Sequence, residues 1–437
     1  MVDLEAVLAA DRKHVWHPYT AMDAYRAKHG PLVVTRAEGP WLELADGRRI
    51  LDGNGSWWVS TLGHNHPRLV AALKAQADRM CHVSLAGITH EPAALLAREL
   101  AAVTPAGLDQ VFYSDDGSTA VEAAVKMALQ FHGQTGKPKK TRFLALEGAF
   151  HGETIGATSL GGVEVFRQPF GSVVFDCIHV PSPAGDDASC APMWGEAFDA
   201  VAQVIEREHE TIAGMVVEPI VQGAAGMRIY PPAYLRAVRD LCTKYDVLLI
   251  VDEVFTGYGR LGSMWGCDLA EVVPDLMCVA KGFTGGILPM AATVTSERIL
   301  GGFNGGLRNA FLYGHSYCGN PLGAAVAREV LAIYRDEPIV AGVAERNAAI
   351  VALGRRLSSS LVRDFRAIGS IGAIELRDAG AGYTASIGWR VYEEALRRGA
   401  YVRPLGNVVY VAPALNIPLK DLEQLLSIVE ESITAID

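Results

Sequence analysis

The sequence predicts a mainly parallel α/β sheet covered on both faces, with a smaller α+β domain beside it. Three observations carry this prediction. Short apolar runs alternate with longer helical patterns from about residue 105 onward. Those runs lack the in–out alternation of a sheet with one wet face. The two ends of the chain carry hairpin and helical patterns unlike those of the middle.

Taken in order, "PLVVTRAEGPWLELADG" (31–47) holds short strand candidates, and its "ADG" is a hairpin turn signal. "QVFYS" (110–114), "RFLAL" (142–146), "GMVVE" (214–218), "VLLIVDE" (247–253) and "DLMCVA" (275–280) read as buried strands. Between them lie helices such as 231–246, opened by prolines, with Tyr234, Leu235, Val238, Leu241 and Cys242 at helical spacing. Such alternation means a parallel sheet. Beyond about residue 330 come helical patterns, a strand pair near "SIGAIEL" and "NVVYVAP", and a final amphipathic helix starting near Pro418. The expected organisation is a large domain over 61–329, with 1–60 and 330–437 forming one smaller domain.

Composition narrows the class of function. Half of the 437 residues are apolar and the formal charge is −10, so the chain can bury a sizeable core and offers no basic footprint for nucleic acid or anionic membrane. The seven cysteines (81, 177, 190, 242, 267, 278, 318) are scattered, with no C-x-x-C pair. Reduced thiols in a cytoplasm fit that pattern better than a disulfide framework or a zinc site. The first twenty residues have early acids and no long apolar core, unlike a secretory signal. No stretch approaches the ~20 apolar residues of a membrane helix. A soluble cytoplasmic protein with small-molecule substrates is expected.

Three places carry candidate chemistry. In "YSDDGSTAVEAAVKMALQFH" (113–132) a strand feeds a turn at Gly117 and then a helix, and Thr119 with Glu122 has capping-box spacing. Free amides at that helix start suit a phosphate, although an ordinary capped core helix has the same pattern. Asp252 ends an apolar strand, where open α/β sheets place ligands. Beside a ring nitrogen it would keep that nitrogen protonated; otherwise it is a cap or an ion-pair partner. Its neighbour Glu253 reads as scaffold. Lys281 ends the next apolar run before "GFTGG", and partial desolvation there would supply a neutral amine for Schiff-base chemistry. A solvated strand-end lysine is the plain alternative. Together, phosphate turn, ring-nitrogen acid and lysine are what pyridoxal 5′-phosphate requires. His64 and His66 have i, i+2 spacing without an evident third ligand, so they read as structural rather than as a metal site.

The combination resembles the class III (ω-) aminotransferases among the fold-type I pyridoxal phosphate enzymes, over nearly the whole chain. The supporting stretches are "WHPYT" (16–20), "DGNGSWW" (52–58), "GHNHP" (63–67), "HVSLAGITHEPA" (82–93), "VEPIVQGAAGMR" (217–228), "DEVFTGYGRLG" (252–262), "GHSYCGNPLG" (314–323) and "VRPLG" (402–406). "WHPYT", "SWW" and "RPLG" point to the biotin-pathway branch that aminates 8-amino-7-oxononanoate, with S-adenosylmethionine as the usual amino donor and lysine as an open alternative. The resemblance implies that Lys281 holds the cofactor and shuttles a proton, and that Asp252 pairs with the pyridinium nitrogen. It implies phosphate contacts from Gly117 and Ser118, joined by Ser316 across a homodimer interface, and ring stacking by Phe150. Tyr19, Trp57 and Trp58 would line the substrate channel, with Tyr19 also in the catalytic set. Gly314 and Arg260 would lie near the substrate, and Arg403 would bind its carboxylate. As sequence neighbours, however, Trp57 and Trp58 are not expected both to face one pocket.

Three positions depart from the branch. It usually reads "YHGD" where this chain has "FHGE" (150–153), which removes a phenol at Phe150 and lengthens the acid at Glu153. Phe255 is bulkier than the small or amide residue expected there. Competing readings are another class III activity with a lysine-, ornithine- or 4-aminobutyrate-type donor, and a non-catalytic partner with the same fold. The paired tryptophans and "VRPLG" argue against the first, and Lys281 with Asp252 against the second. A dinucleotide dehydrogenase is a weaker reading still, because no G-x-G-x-x-G follows the first strand.

Overall fold

The computed structural model describes residues 3–28, 31–183, 194–378 and 382–437. Its centre is a seven-stranded sheet in the order Gln110–Ser114, Ala291–Thr295, Leu276–Val279, Leu248–Asp252, Ile212–Val217, Arg142–Leu146, Cys177–Val180. All neighbours run parallel except Ala291–Thr295, which is antiparallel to both of its partners. The strand ending on Asp252 lies in the middle and pairs directly with the strand that leads to Lys281, Asp252 standing opposite Cys278.

Alternate residues of that middle strand feed two different cores, which is why the run is apolar throughout. Leu248 and Ile250 pack with Val121, Ala124 and Phe131 of helix Gly117–Gln134. Leu249 and Val251 pack with Tyr234, Leu235 and Val238 of helix Pro232–Lys244.

The helix after the Gly117 turn corrects one expectation. Its cap is Asp116, whose Oδ1 accepts the Thr119 N–H at 2.8 Å while Thr119 Oγ1 accepts the Asp116 N–H at 3.1 Å. Thr119 therefore closes the box from inside the helix, and Glu122 is not part of it. Glu122 Oε1 instead accepts from Thr154 Oγ1 at 2.6 Å and from the Gly156 N–H at 2.8 Å, tying the following loop to the helix.

The two ends of the chain share a sheet. The hairpin Trp41–Leu44 and Arg49–Asp52 turns through Gly47 at φ 88°, and Leu51 and Asp52 pair in parallel with Ala400 and Tyr401. A second sheet joins Val362–Ile368, Ile371–Leu376 and Val408–Val411. The closing helix Leu419–Thr434 begins after Pro418 and buries Leu422, Leu425, Leu426 and Val429. Among the described residues no helix is long and apolar enough to cross a membrane, and the six described cysteines are free; Cys190 lies outside the described residues.

Candidate active site

A cavity of about 500 Å³ opens at the carboxyl ends of the central strands, with Asp252 and Lys281 both in its wall. Asp252 is the last residue of its strand and is buried. Its Oδ1 accepts the Val254 N–H at 3.0 Å, and its Oδ2 lies 2.8 Å from His151 Nδ1. An ionised carboxylate only accepts, so the imidazole donates from Nδ1. The next residue, Glu253, points into protein: it accepts from Thr256 Oγ1, the Gly266 N–H and the Cys267 N–H, and burial pushes its carboxyl up to about 7.

Lys281 follows the strand Leu276–Val279 and opens a single 3₁₀ turn at φ 48°, a left-handed conformation rare for a lysine. Its Nζ stands 4.5 Å from the centroid of the Trp58 ring. Burial lowers its pKa from 10.5 to about 8, against the opposing pull of Asp252 and Glu218. Glu218, just past the neighbouring strand Ile212–Val217, also lines the cavity. It accepts the Phe150 and Gly223 N–H groups, and burial raises it to about 7.

At one end of the cavity lie Gly117 and Ser118, the first residues of an 18-residue helix, with backbone amides free for an anion. A Cβ at position 117 would come within 2.8 Å of Val254, so only glycine lets the turn lie this close to the strand end. Gly152, at φ 126°, is equally constrained, because a Cβ there would strike Ser118. Ser118 Oγ accepts the Glu153 N–H at 3.0 Å.

Trp57 and Trp58 both line the cavity, contrary to the expectation for adjacent residues. The reason is the backbone. Gly55, Ser56, Trp57 and Trp58 have φ of 54°, 46°, 62° and 77°, one turn of left-handed helix. An extended strand would send the two indoles to opposite sides; a helical turn of either hand does not.

The mouth is aromatic. The Tyr19 hydroxyl donates to Glu153, and burial followed by that bond raises the phenol's pKa well above its ordinary value. The Tyr19 ring meets Trp57 at 5.2 Å and Phe166 at 5.5 Å, and Phe166 meets Phe150 at 5.8 Å and Tyr383 at 4.8 Å. Arg403 stands at this rim, its guanidinium 4.9 Å from the Trp57 ring and donating to the Tyr19 carbonyl at 3.0 Å.

Of the residues singled out by sequence, Lys281, Asp252, Gly117, Ser118, Phe150, Tyr19, Trp57 and Trp58 meet in this one cavity. Arg260 does not. It is 1% exposed and donates from Nη1 to Ser370 Oγ and the Pro413 carbonyl, joining the segment after Asp252 to the C-terminal three-stranded sheet. That corrects its expected place beside the substrate. Gly314 and Ser316 lie on an exposed loop outside the cavity, which His315 Nδ1 links to Asp115 at 3.5 Å. His64 Nε2 lies 2.9 Å from Asp52 Oδ2.

Sequence reasoning gives no role to His151, Glu218, Phe166 or Tyr383. Glu218 has a usable signal, since it follows an apolar strand as Lys281 does. Phe166 and Tyr383 arrive from distant segments and have none.

Comparison with known proteins agrees with this geometry. The family Aminotransferase class-III matches residues 23–433. The adenosylmethionine-8-amino-7-oxononanoate aminotransferase of Geobacter sulfurreducens is 38% identical, covering 99% of this chain and 98% of its own. That of Aquifex aeolicus is 37% identical over 95% and 97%. The crystal structure of the Methanocaldococcus jannaschii protein of the same name superimposes with a TM-score of 0.94 at 35% identity over 99% of both chains, and a transaminase from the marine bacterium Virgibacillus with 0.91 at 30%, again over 99% of both. A match over this length, to relatives this similar, leaves one conclusion: the chain belongs to the class III aminotransferases.

Proposed function

We propose that this enzyme transfers an amino group to 8-amino-7-oxononanoate, giving 7,8-diaminononanoate for biotin synthesis, with pyridoxal phosphate as cofactor and S-adenosylmethionine as donor. The observation that carries the reading is the meeting in one cavity of a poised lysine, a His-held carboxylate and a helix start cleared by glycine. The names of the relatives support the choice of keto acid.

The residues fit the cofactor. Lys281 would hold it, Gly117 and Ser118 would bind its phosphate with their amides, Asp252 would face the ring nitrogen, and Phe150 and Val254 offer apolar surface for the ring. Bound there, pyridoxal phosphate supplies an electron sink for the carbon that carries the amine. Lys281 Nζ, with its pKa lowered to about 8, has a neutral fraction near physiological pH and can both take and return a proton. His151 fixes the carboxylate of Asp252 so that its charge is aimed rather than solvated. Trp57, Trp58 and Tyr19 form an apolar sleeve for a long chain, and Arg403 at its end offers a forked donor to a carboxylate. The Tyr19–Glu153 pair places a polar contact midway.

Completion of the site calls for a second copy. Leu307 and Leu312, both 77% exposed, and Tyr317 at 57% present apolar surface on and beside the Ser316 loop. A homodimer would cover it and carry Gly314 and Ser316 to the neighbouring cavity. We also assign the protein to the cytoplasm, in line with its free thiols.

A donor screen tests the reading: each candidate amine is added to the holoenzyme and loss of the visible cofactor band is followed, then 8-amino-7-oxononanoate is supplied. Turnover with S-adenosylmethionine upholds it. No amination of 8-amino-7-oxononanoate with either S-adenosylmethionine or lysine overturns the substrate assignment.

A further inference from the structure

Phe255, bulkier than its position leads one to expect, has its ring in the cavity wall beside Lys281. The ring packs on Trp58 with centroids 4.3 Å apart. Gly223 makes the room, since a Cβ there would lie 2.9 Å from Phe255 Cδ1. The Lys281 amine stands 4.5 Å from the centroid of the Trp58 ring and 5.9 Å from that of Phe255.

Trp58 needs support. Its φ of 77° follows three more left-handed residues, so its position is set by what surrounds it rather than by backbone preference. Two supports act on the indole itself. Trp58 Nε1 donates to the Tyr410 hydroxyl at 3.1 Å, and the Phe255 ring packs against the indole. The charged groups acting on Lys281 are Asp252 and Glu218, which favour its ammonium form, and Arg260, which opposes it. Trimming a phenyl ring changes none of them.

We propose that Phe255 is a positioning residue: its ring wedges Trp58 into place over the Lys281 amine and limits the access of water to the lysine end of the cavity. The proposal rests on Lys281 as the reacting amine, but not on the identity of the keto acid.

Full-length Phe255→Ala and Phe255→Leu test it. In cofactor-free protein, Lys281 is titrated by its rate of reaction with trinitrobenzenesulfonate across pH, with Lys281→Ala as background; in the holoenzyme, kcat and KM are measured for each half-reaction. Phe255→Ala should raise the titration midpoint by about one pH unit, because water reaches the ammonium form. It should lower kcat about tenfold, with KM changed less than about threefold, as for a misplaced reacting group. Phe255→Leu, still apolar but without the flat ring, should keep the midpoint and lose part of kcat. An unchanged midpoint and kcat in folded Phe255→Ala overturns the proposal, as does a rise in KM alone. Should Phe255→Ala fail to fold, Phe255→Leu decides by kcat: a fall at constant KM upholds the proposal, and wild-type values overturn it. Because the titration uses no substrate, its outcome is the same whichever keto acid the enzyme takes.

Discussion

Holding Lys281 in the cavity should cost this protein stability in a manner that pH reveals. Burial lowers the lysine from its ordinary 10.5 to about 8. At about 1.4 kcal/mol per pH unit, that fall corresponds to a penalty of about 3 kcal/mol. The direction follows from proton counting. Between about 8 and 10.5 the unfolded chain keeps the proton and the folded one releases it, so stability rises with pH across that window. Below about 8 both states are protonated and the full penalty applies; above 10.5 neither is, and it vanishes. Replacing Lys281 with methionine, of similar length and no charge, should therefore stabilise the cofactor-free protein by up to about 3 kcal/mol at pH 7, with the gain shrinking to near zero by pH 10.5. Paired urea unfolding of wild type and Lys281→Met at each pH measures it, since every other alkaline effect is common to both. A methionine variant no more stable at pH 7, or a gain that does not fall with pH, refutes the reasoning.

Other outcomes follow from the same geometry. Asp252→Asn should lower turnover at least ~100-fold, typical of losing one preorganised electrostatic contact, while thermal unfolding shows the fold intact; a variant with an intact rate per folded site would make Asp252 structural. Arg403→Ala should raise KM for the keto acid by ~1.5–3 kcal/mol of lost charged hydrogen bonding and leave donor KM nearly unchanged, read from separate half-reactions; equal effects would place the arginine at a shared position. Mixing inactive Lys281→Ala with an inactive Ser316 variant should restore part of the activity if sites are shared, and none under verified subunit exchange would count against the dimer.

Much of the fold is legible because strand and site coincide. The runs at 110–114 and 142–146 match the observed strands to the residue, since each has an apolar middle and an acid, Asp115 or Glu147, directly after it. Ala291–Thr295 is not legible in this way: alanines and threonines give little hydrophobic contrast, and only burial inside the sheet makes them a strand. The Thr119–Glu122 spacing misleads because Asp116, nearer the turn, is the stronger cap, and the sequence does not reveal that Glu122 is engaged by the 154–157 loop. Arg260 shares a motif with Asp252, but proximity along the chain says nothing about where a long side chain ends; only the fold brings Ser370 and Pro413 to it. The fate of the two tryptophans depends on a backbone conformation that L residues seldom adopt.

That conformation shows how specificity and stability are joined here. Three non-glycine residues in left-handed geometry cost about 1–2 kcal/mol each, so Ser56, Trp57 and Trp58 must be held from outside. Asp52 does much of the holding. Its carboxylate accepts the Asn54 N–H, the Ser56 N–H and the Ser56 hydroxyl, and faces His64 Nε2 at 2.9 Å. Asn54 then reaches across, donating to the Tyr410 carbonyl and accepting the Arg403 N–H, while Trp58 bonds the Tyr410 hydroxyl. The turn that aims both indoles into the cavity is thus tied to the strand bearing Tyr410 and to the backbone of the arginine at the mouth. A channel wall and the cation at its end are built as one unit, and the histidine whose spacing resembles a metal ligand's is one of the struts.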